Sequence, residues 1–204
     1  MVRSDQITRL AIGPLKRLGL RDLDHSHTED VGHGEGHGAR RIVILGFFRA
    51  ASALLSEVEQ RSPTLLDQIS VVDFNPNVYR TLLNRGLHVI YGDISNVDTL
   101  VHAGVGTAEI IILSVPDSLL KGANNEKLVR HVRALNPTAK IISTADLLAD
   151  VPDQYGAGAD FVTVTRLSDA RELFDAIDAA DHGLLADKRA AMDARLGERR
   201  EGLP

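Results

Sequence analysis

The residues best placed to do chemistry stand in one turn, Gly46-Phe47-Phe48-Arg49-Ala50-Ala51, directly after the apolar run Ile42-Val43-Ile44-Leu45. A strand that ends in glycine and breaks into a helix presents backbone N–H groups, and the positive end of the helix, to a phosphate. The dinucleotide fingerprint places three glycines in this turn. Here only Gly46 is glycine, while Phe48 and Ala51 hold the second and third positions. Alanine suits the third position, which has only to let helix and strand pack closely. Phe48 puts a side chain where the backbone has to approach a pyrophosphate, so a dinucleotide is disfavoured. Three readings of Phe48 stand: it turns outward and leaves room for a mononucleotide such as AMP, it fills the pocket of a structural domain, or it packs on a partner subunit.

The acid that would complete such a site is Asp73, which closes the apolar run Val71-Val72-Asp73. A carboxylate there accepts hydrogen bonds from ribose hydroxyls and favours a nucleotide lacking a 2′-phosphate; the plain alternative is a cap for the helix starting near Pro76. Tyr91-Gly92-Asp93-Ile94-Ser95 puts Asp93 on a loop beside the same crevice, and Ser114-Val115-Pro116-Asp117 follows a later apolar run.

Other chemistry is poorly supported. Reductases and epimerases of related fold need a tyrosine activated by a lysine four residues on. Tyr79, Tyr91 and Tyr155 are followed at that spacing by Leu83, Ser95 and Ala159, so no catalytic residue is assigned and an NAD(P)-dependent reductase or epimerase ranks third. His25, His27, His33 and His37, with Glu29, Asp30 and Glu35, could bind Zn²⁺ or Ni²⁺. Their spacing matches no closed zinc site, and a solvated linker is favoured over a metal site. The chain has no cysteine, which excludes thiolate catalysis and suits a reducing compartment. A formal net charge of -5 gives no global attraction to nucleic acid and counts against it as a partner.

The elements that must position the turn are legible in the apolar pattern. Runs rich in Ile and Val cover 41–46, 69–73, 87–91, 108–114, 139–144 and 161–164, and helical spacing covers 49–60, 76–85, 96–103, 117–135, a stretch near 145–155, and 167–180. This alternation predicts an α/β fold, a Rossmann-like doubly wound parallel sheet of six strands in order 3-2-1-4-5-6 with helices on both faces. Four segments are expected. Residues 1–21 form a basic amphipathic, membrane-proximal segment, 22–40 a Gly/His-rich linker, 41–180 the Rossmann-like domain and 181–204 a charged tail. The acids Asp169, Glu172, Asp175 and Asp178 read as a solvated face.

The pieces RIVILGFFRA, VVDFNPN, HVIYGDISNVDTLVHAGV, RALNPTAKII and YGAGADFV occur in that order. Over about two-thirds of its length the chain thereby resembles the regulator of potassium conductance domain, also called the TrkA N-terminal or K⁺ transport nucleotide-binding domain. The step YGD followed by L-x-x-AGV is the most specific of these pieces. The resemblance implies a nucleotide-sensing regulatory domain at the inner face of the cell membrane, cytoplasmic, attached to a transmembrane ion-transport domain or subunit and paired as a homodimer. A potassium or sodium/proton antiporter is the expected setting, and a structural dimerisation module with a vestigial site is the alternative. It implies that Gly46 forms the tight turn, Arg49 approaches the phosphates, Asp73 holds the ribose, Asp93 and Ser95 border the adenine-side pocket and Ser114 lines the crevice. The expected ligand is an adenine nucleotide, AMP, ATP or NAD(H), with Phe48 weighing against the dinucleotide.

Overall fold

The computed structural model describes residues 40–120 and 124–197. The basic segment 1–21 and residues 22–39 of the linker, with the metal question attached to its histidines, lie outside the described residues, as do residues 198–204 of the tail.

Strands and helices alternate along the chain. The strands are β1 (Ile42–Leu45), β2 (Ile69–Asp73), β3 (His88–Tyr91), β4 (Ile110–Leu113), β5 (Lys140–Ala145) and β6 (Phe161–Val164). The helices are α1 (Arg49–Arg61), α2 (Pro76–Asn84), α3 (Val97–His102), α4 (Asn125–Leu135), α5 (Val151–Ala157), α6 (Thr165–Asp181) and α7 (Leu185–Gly197). All strand pairs are parallel, in the order β3-β2-β1-β4-β5-β6, with Ile42 in register with Ile69 on one side and Ile110 on the other. The order reverses between β1 and β4, which opens a crevice at the carboxyl ends of those two strands.

Alternation of side chains sorts the strand residues between two apolar layers. Ile42 and Ile44 face α1 and α2, where they meet Phe47, Leu55, Val78 and Leu82. Val43 and Leu45 face the other way, against Leu100, Leu128, Val129 and Val132 of α3 and α4. Both faces being covered, β1 is buried along its whole length. Each aliphatic side chain so enclosed contributes roughly 1.5–3 kcal/mol.

The expected helix over 117–135 is shorter in the structure. A 3-10 turn occupies Asp117–Leu119, and α4 begins at Asn125. The start is set by caps: Asn124 Oδ1 accepts from the Lys127 N–H at 3.0 Å, and Asp117 Oδ1 accepts from the Asn125 N–H at 2.7 Å. The stretch near 145–155 likewise resolves into a 3-10 turn, Leu148–Asp150, followed by α5.

The connection from α4 to β5 is held by side chains that satisfy its carbonyls. Arg133 donates to the carbonyls of Gly158, Asn136, Pro137 and Ala139 and to Asp160 Oδ2. Burial pushes the Asp160 carboxyl upward, but the Ile141 N–H, the Arg133 guanidinium and the Lys140 ammonium outweigh it and hold the group below the ordinary 3.8. A carboxyl held down in the folded state stabilises at neutral pH, and that contribution is lost as pH falls through its folded value. Asp160→Asn is therefore expected to flatten the acid limb of the stability curve in urea titrations run across pH. The loss at neutral pH is at most about 1 kcal/mol, because a third of the side chain is exposed to screening solvent.

α6, like α7, stands apart from the other helices. None of its residues is buried, and Leu167, Leu173, Phe174 and Ile177 are all more than half exposed. Its acids are solvated as the charge pattern predicts, yet its apolar side chains are solvated too.

Candidate functional site

A cavity of about 590 Å³ opens at the carboxyl ends of β1, β2 and β3, lined by Gly46, Phe47, Phe48, Arg49, Asp73, Phe74, Asn75, Val78, Asp93, Ile94, Ser95, Val115, Leu119 and Leu120. Six of the seven residues singled out in the sequence, Gly46, Phe48, Arg49, Asp73, Asp93 and Ser95, come together on its wall. Ser114 does not. Its buried hydroxyl donates to the Gly46 carbonyl at 2.5 Å and pins β4 to the turn beneath the cavity.

Gly46 adopts φ +76°, a left-handed conformation that glycine alone enters without steric cost. A Cβ at this position would lie 1.8 Å from Val115 Cγ2 and 3.5 Å from Ile94 Cδ1. The turn is thus clamped between the loops that follow β3 and β4, and glycine is required on two separate grounds.

Asp73 fastens the same turn from the other side. Its Oδ2 accepts from the Phe47 N–H and its Oδ1 from the Asn75 N–H, both at 2.7 Å. Burial pushes its carboxyl above the ordinary 3.8, and these two N–H groups offset that shift only in part. The sign is opposite to that at Asp160: ionised Asp73 costs stability at neutral pH, and the cost is relieved as pH falls through its raised folded value. Two bonds leave acceptor capacity on the carboxylate for a ribose hydroxyl. Asp93 is organised locally, its Oδ1 accepting from both the Ser95 N–H and the Ser95 hydroxyl at 2.8 Å.

The N-terminus of α1 opens at this cavity. Phe48 stands at its cap position, no side chain caps it, and no acid lies in its first turn. Free N–H groups and the helix dipole make such an end receptive to an anion. Phe48 is half-buried and lines the cavity wall. The Arg49 guanidinium rests over the Phe48 ring, 5.5 Å from its centre, so the aromatic face holds the cation at the mouth.

Eight of the lining residues are not among those singled out from sequence, Phe74, Leu119 and Leu120 among them. Phe74, 63 % exposed, extends the wall beyond Asp73, and the signal for it was an aromatic directly after the acid that ends β2. Leu119 and Leu120 close the β4 side, a role hidden when 117–135 is read as one helix.

The fold agrees with that of known proteins similar to this chain. The model of the TrkA-N domain matches residues 42–165. The chain belongs to the TrkA-N domain family. Among curated relatives, the glutathione-regulated potassium-efflux system protein KefC of Enterobacter sp. (strain 638) is 29% identical over 142 residues. That match takes in 67% of this chain and 21% of the relative, so this TrkA-N chain spans about a fifth of the length of the curated relatives it matches. Among solved structures, the TrkA-N domain of the inner membrane protein ybaL from Escherichia coli superposes with TM-score 0.60 at 21% identity, covering 69% of this chain and 98% of that one. The GsuK channel is similar as well. Its NAD-bound structure has TM-score 0.50 at 23% identity, covering 78% of this chain and 27% of that one. Its ADP-bound structure has TM-score 0.52 at 22% identity, covering 79% and 40%. Among the described residues of this TrkA-N chain, no helix is long and apolar enough to cross a membrane.

Proposed function

We propose that this TrkA-N chain is a cytosolic regulatory domain of a monovalent cation transporter, in the first instance a potassium or sodium/proton antiporter, and that it senses an adenine nucleotide without catalysing a reaction. The observation that carries the reading is the uncapped end of α1 with Arg49 parked beside it, facing a cavity whose far wall holds Asp73, Asp93 and Ser95. A phosphate fits the helix end, ribose hydroxyls fit the acids, and a purine ring fits against Phe74 and Ile94. Support for the transport setting comes from the potassium-efflux relative, and support for nucleotide binding from a channel of the same fold seen with NAD and with ADP.

Residues 41–180 act as the sensing unit in this proposal, with 1–21 as the membrane-proximal segment, 22–40 as the linker and 181–204 as the tail. The partner is a second copy. The exposed apolar side chains of α6, Leu173, Phe174 and Ile177, fall at helical spacing and supply a face for it.

Isothermal titration of the chain with AMP, ATP and NADH, alongside light scattering of the same sample, tests both parts. Binding of at least one nucleotide by a species of dimeric mass is expected. Arg49→Ala is expected to weaken that binding about tenfold, the worth of one charge-assisted contact to phosphate. A dimer that binds none of the three nucleotides would instead identify a structural dimerisation module.

A further inference from the structure

The loops that follow β4 and β5 carry a surface of their own beside the cavity. The Asn125 side chain, 1 % exposed, donates to the carbonyls of Val115 at 2.9 Å and Thr144 at 3.3 Å and so ties the ends of the two strands together. The closeness of the loops also shows at Asp117. Burial pushes its carboxyl above the ordinary 3.8 against the Asn125 N–H that it accepts, and the charges of Asp150 and Asp146 push it further.

Apolar side chains stand open on this surface. Leu147 and Leu148 are consecutive and both more than half exposed, and Leu119 of the neighbouring loop, shared with the cavity wall, is 48 % exposed. Around them the charge has one sign. Residues 114–120 and 145–153 hold four acids, Asp117, Asp146, Asp150 and Asp153, and no lysine, arginine or histidine. None of the four takes part in an ion pair among the described residues. Carboxylates gathered without a cation repel one another, and a cationic partner removes that cost while covering the leucines.

The charge also chooses between occupants. A second copy docked through the same patch would set acids against acids. The anionic headgroups of an inner membrane leaflet would be repelled as well. A helix with leucines on one side and lysines or arginines on the other answers both features, since its apolar side covers Leu147 and Leu148 while its cations meet the carboxylates. Cytoplasmic segments close to the ends of membrane spans are rich in those cations.

We propose that the surface formed by the β4 and β5 loops docks a cationic amphipathic helix from the cytoplasmic side of a transport domain. This rests on the reading of the chain as a transport-regulatory domain.

Fluorescence anisotropy of a labelled synthetic leucine–lysine helix, titrated with the full chain, tests it, with a leucine–glutamate helix and phosphatidylglycerol vesicles as the other probes. Saturable binding of the lysine helix that weakens with salt is expected, and none of the glutamate helix. Leu147→Ser with Leu148→Ser is expected to weaken it about tenfold or more, the worth of two covered leucines. Asp146→Asn with Asp150→Asn is expected to weaken it about threefold with a shallower salt dependence, as befits rim charges. Asp169→Asn with Asp175→Asn, on the solvated face of α6, is expected to change it by less than about twofold. These positions are exposed or half-buried, so the melting temperature is expected to hold. No binding of the lysine helix, equal binding of the glutamate helix, or equal loss from the two aspartate pairs overturns the proposal. Vesicle binding that the two serine substitutions abolish overturns it in favour of a lipid contact. Titration of the same sample with AMP, ATP and NADH separates the two failures. A chain that binds a nucleotide and ignores the lysine helix loses this proposal alone, whereas one that binds the helix and no nucleotide keeps the docking surface and loses nucleotide sensing.

Discussion

Replacing Gly46 by alanine is expected to destabilise the domain by about 3–5 kcal/mol, a large share of the roughly 5–15 kcal/mol that holds a typical domain folded. Two independent costs combine. A left-handed backbone at a residue bearing a Cβ costs about 1–3 kcal/mol, and φ at Gly46 is +76°. The new methyl would also stand 1.8 Å from Val115 Cγ2, an overlap that forces the β4 loop to move at about 1–3 kcal/mol. Urea unfolding of the chain measures the sum. The two costs are separable by pairing the substitution with Val115→Ala, which removes the overlapping methyl and leaves the backbone strain. A coupling energy of about 1–3 kcal/mol between the two positions is expected, with the remainder of the loss unrelieved. A Gly46→Ala protein within about 1 kcal/mol of the parent would show that the turn does not hold this conformation in solution.

A loss of about 2–4 kcal/mol is expected for Asn136→Ala, far from the cavity. Asn136 is 3 % exposed and every polar atom of its side chain is engaged. Its Nδ2 donates to the carbonyls of Val105 at 2.8 Å and Ala108 at 2.9 Å, while its Oδ1 accepts from the N–H groups of Ala139 at 2.9 Å and Thr138 at 3.2 Å. One amide thereby joins the end of α4, the turn before β4 and the start of β5. Truncation leaves two buried carbonyls and a buried N–H without partners, each a cost of roughly 1–3 kcal/mol that local relaxation offsets in part. Asn136→Asp keeps the shape but turns a carboxylate oxygen towards the Val105 and Ala108 carbonyls, and it is expected to lose more than alanine does. Thermal unfolding of the three proteins at neutral pH gives the order. A stable Asp variant would mean that these carbonyls find donors elsewhere.

How much of this was legible in advance differs between scaffold and site. The run Ile42–Leu45 announces a strand buried on both faces because four apolar residues without alternation suit only a sheet covered twice, and β1 is buried throughout. Asn75 and Pro76 announce α2: the Asn75 side chain accepts from the Asn77 N–H, and proline fills the first turn. The extent of α4 was misjudged. Helical spacing runs back to residue 117, but the carboxylate of Asp117 has a better use as acceptor for the Asn125 N–H, reached only after the chain has turned. α6 was legible as a helix and its acids as solvated. Its exposed apolar face was not, because spacing shows that a stripe exists and not whether anything covers it.

At the site the same division holds. Composition and spacing determined that a glycine turn followed a buried strand, that an acid closed the next one, and that the second glycine position carried Phe48; from these came the fold and the expectation of a nucleotide. Three matters waited for the tertiary structure. Asp73, expected to hold a ribose or to cap α2, binds the turn itself, Ser114 sits beneath the cavity, and Phe48 carries Arg49 at the rim. The physical reason is range. Secondary structure follows from neighbours within a few residues, whereas each of these contacts except the one between Phe48 and Arg49 joins residues brought together only by the crossing of strands.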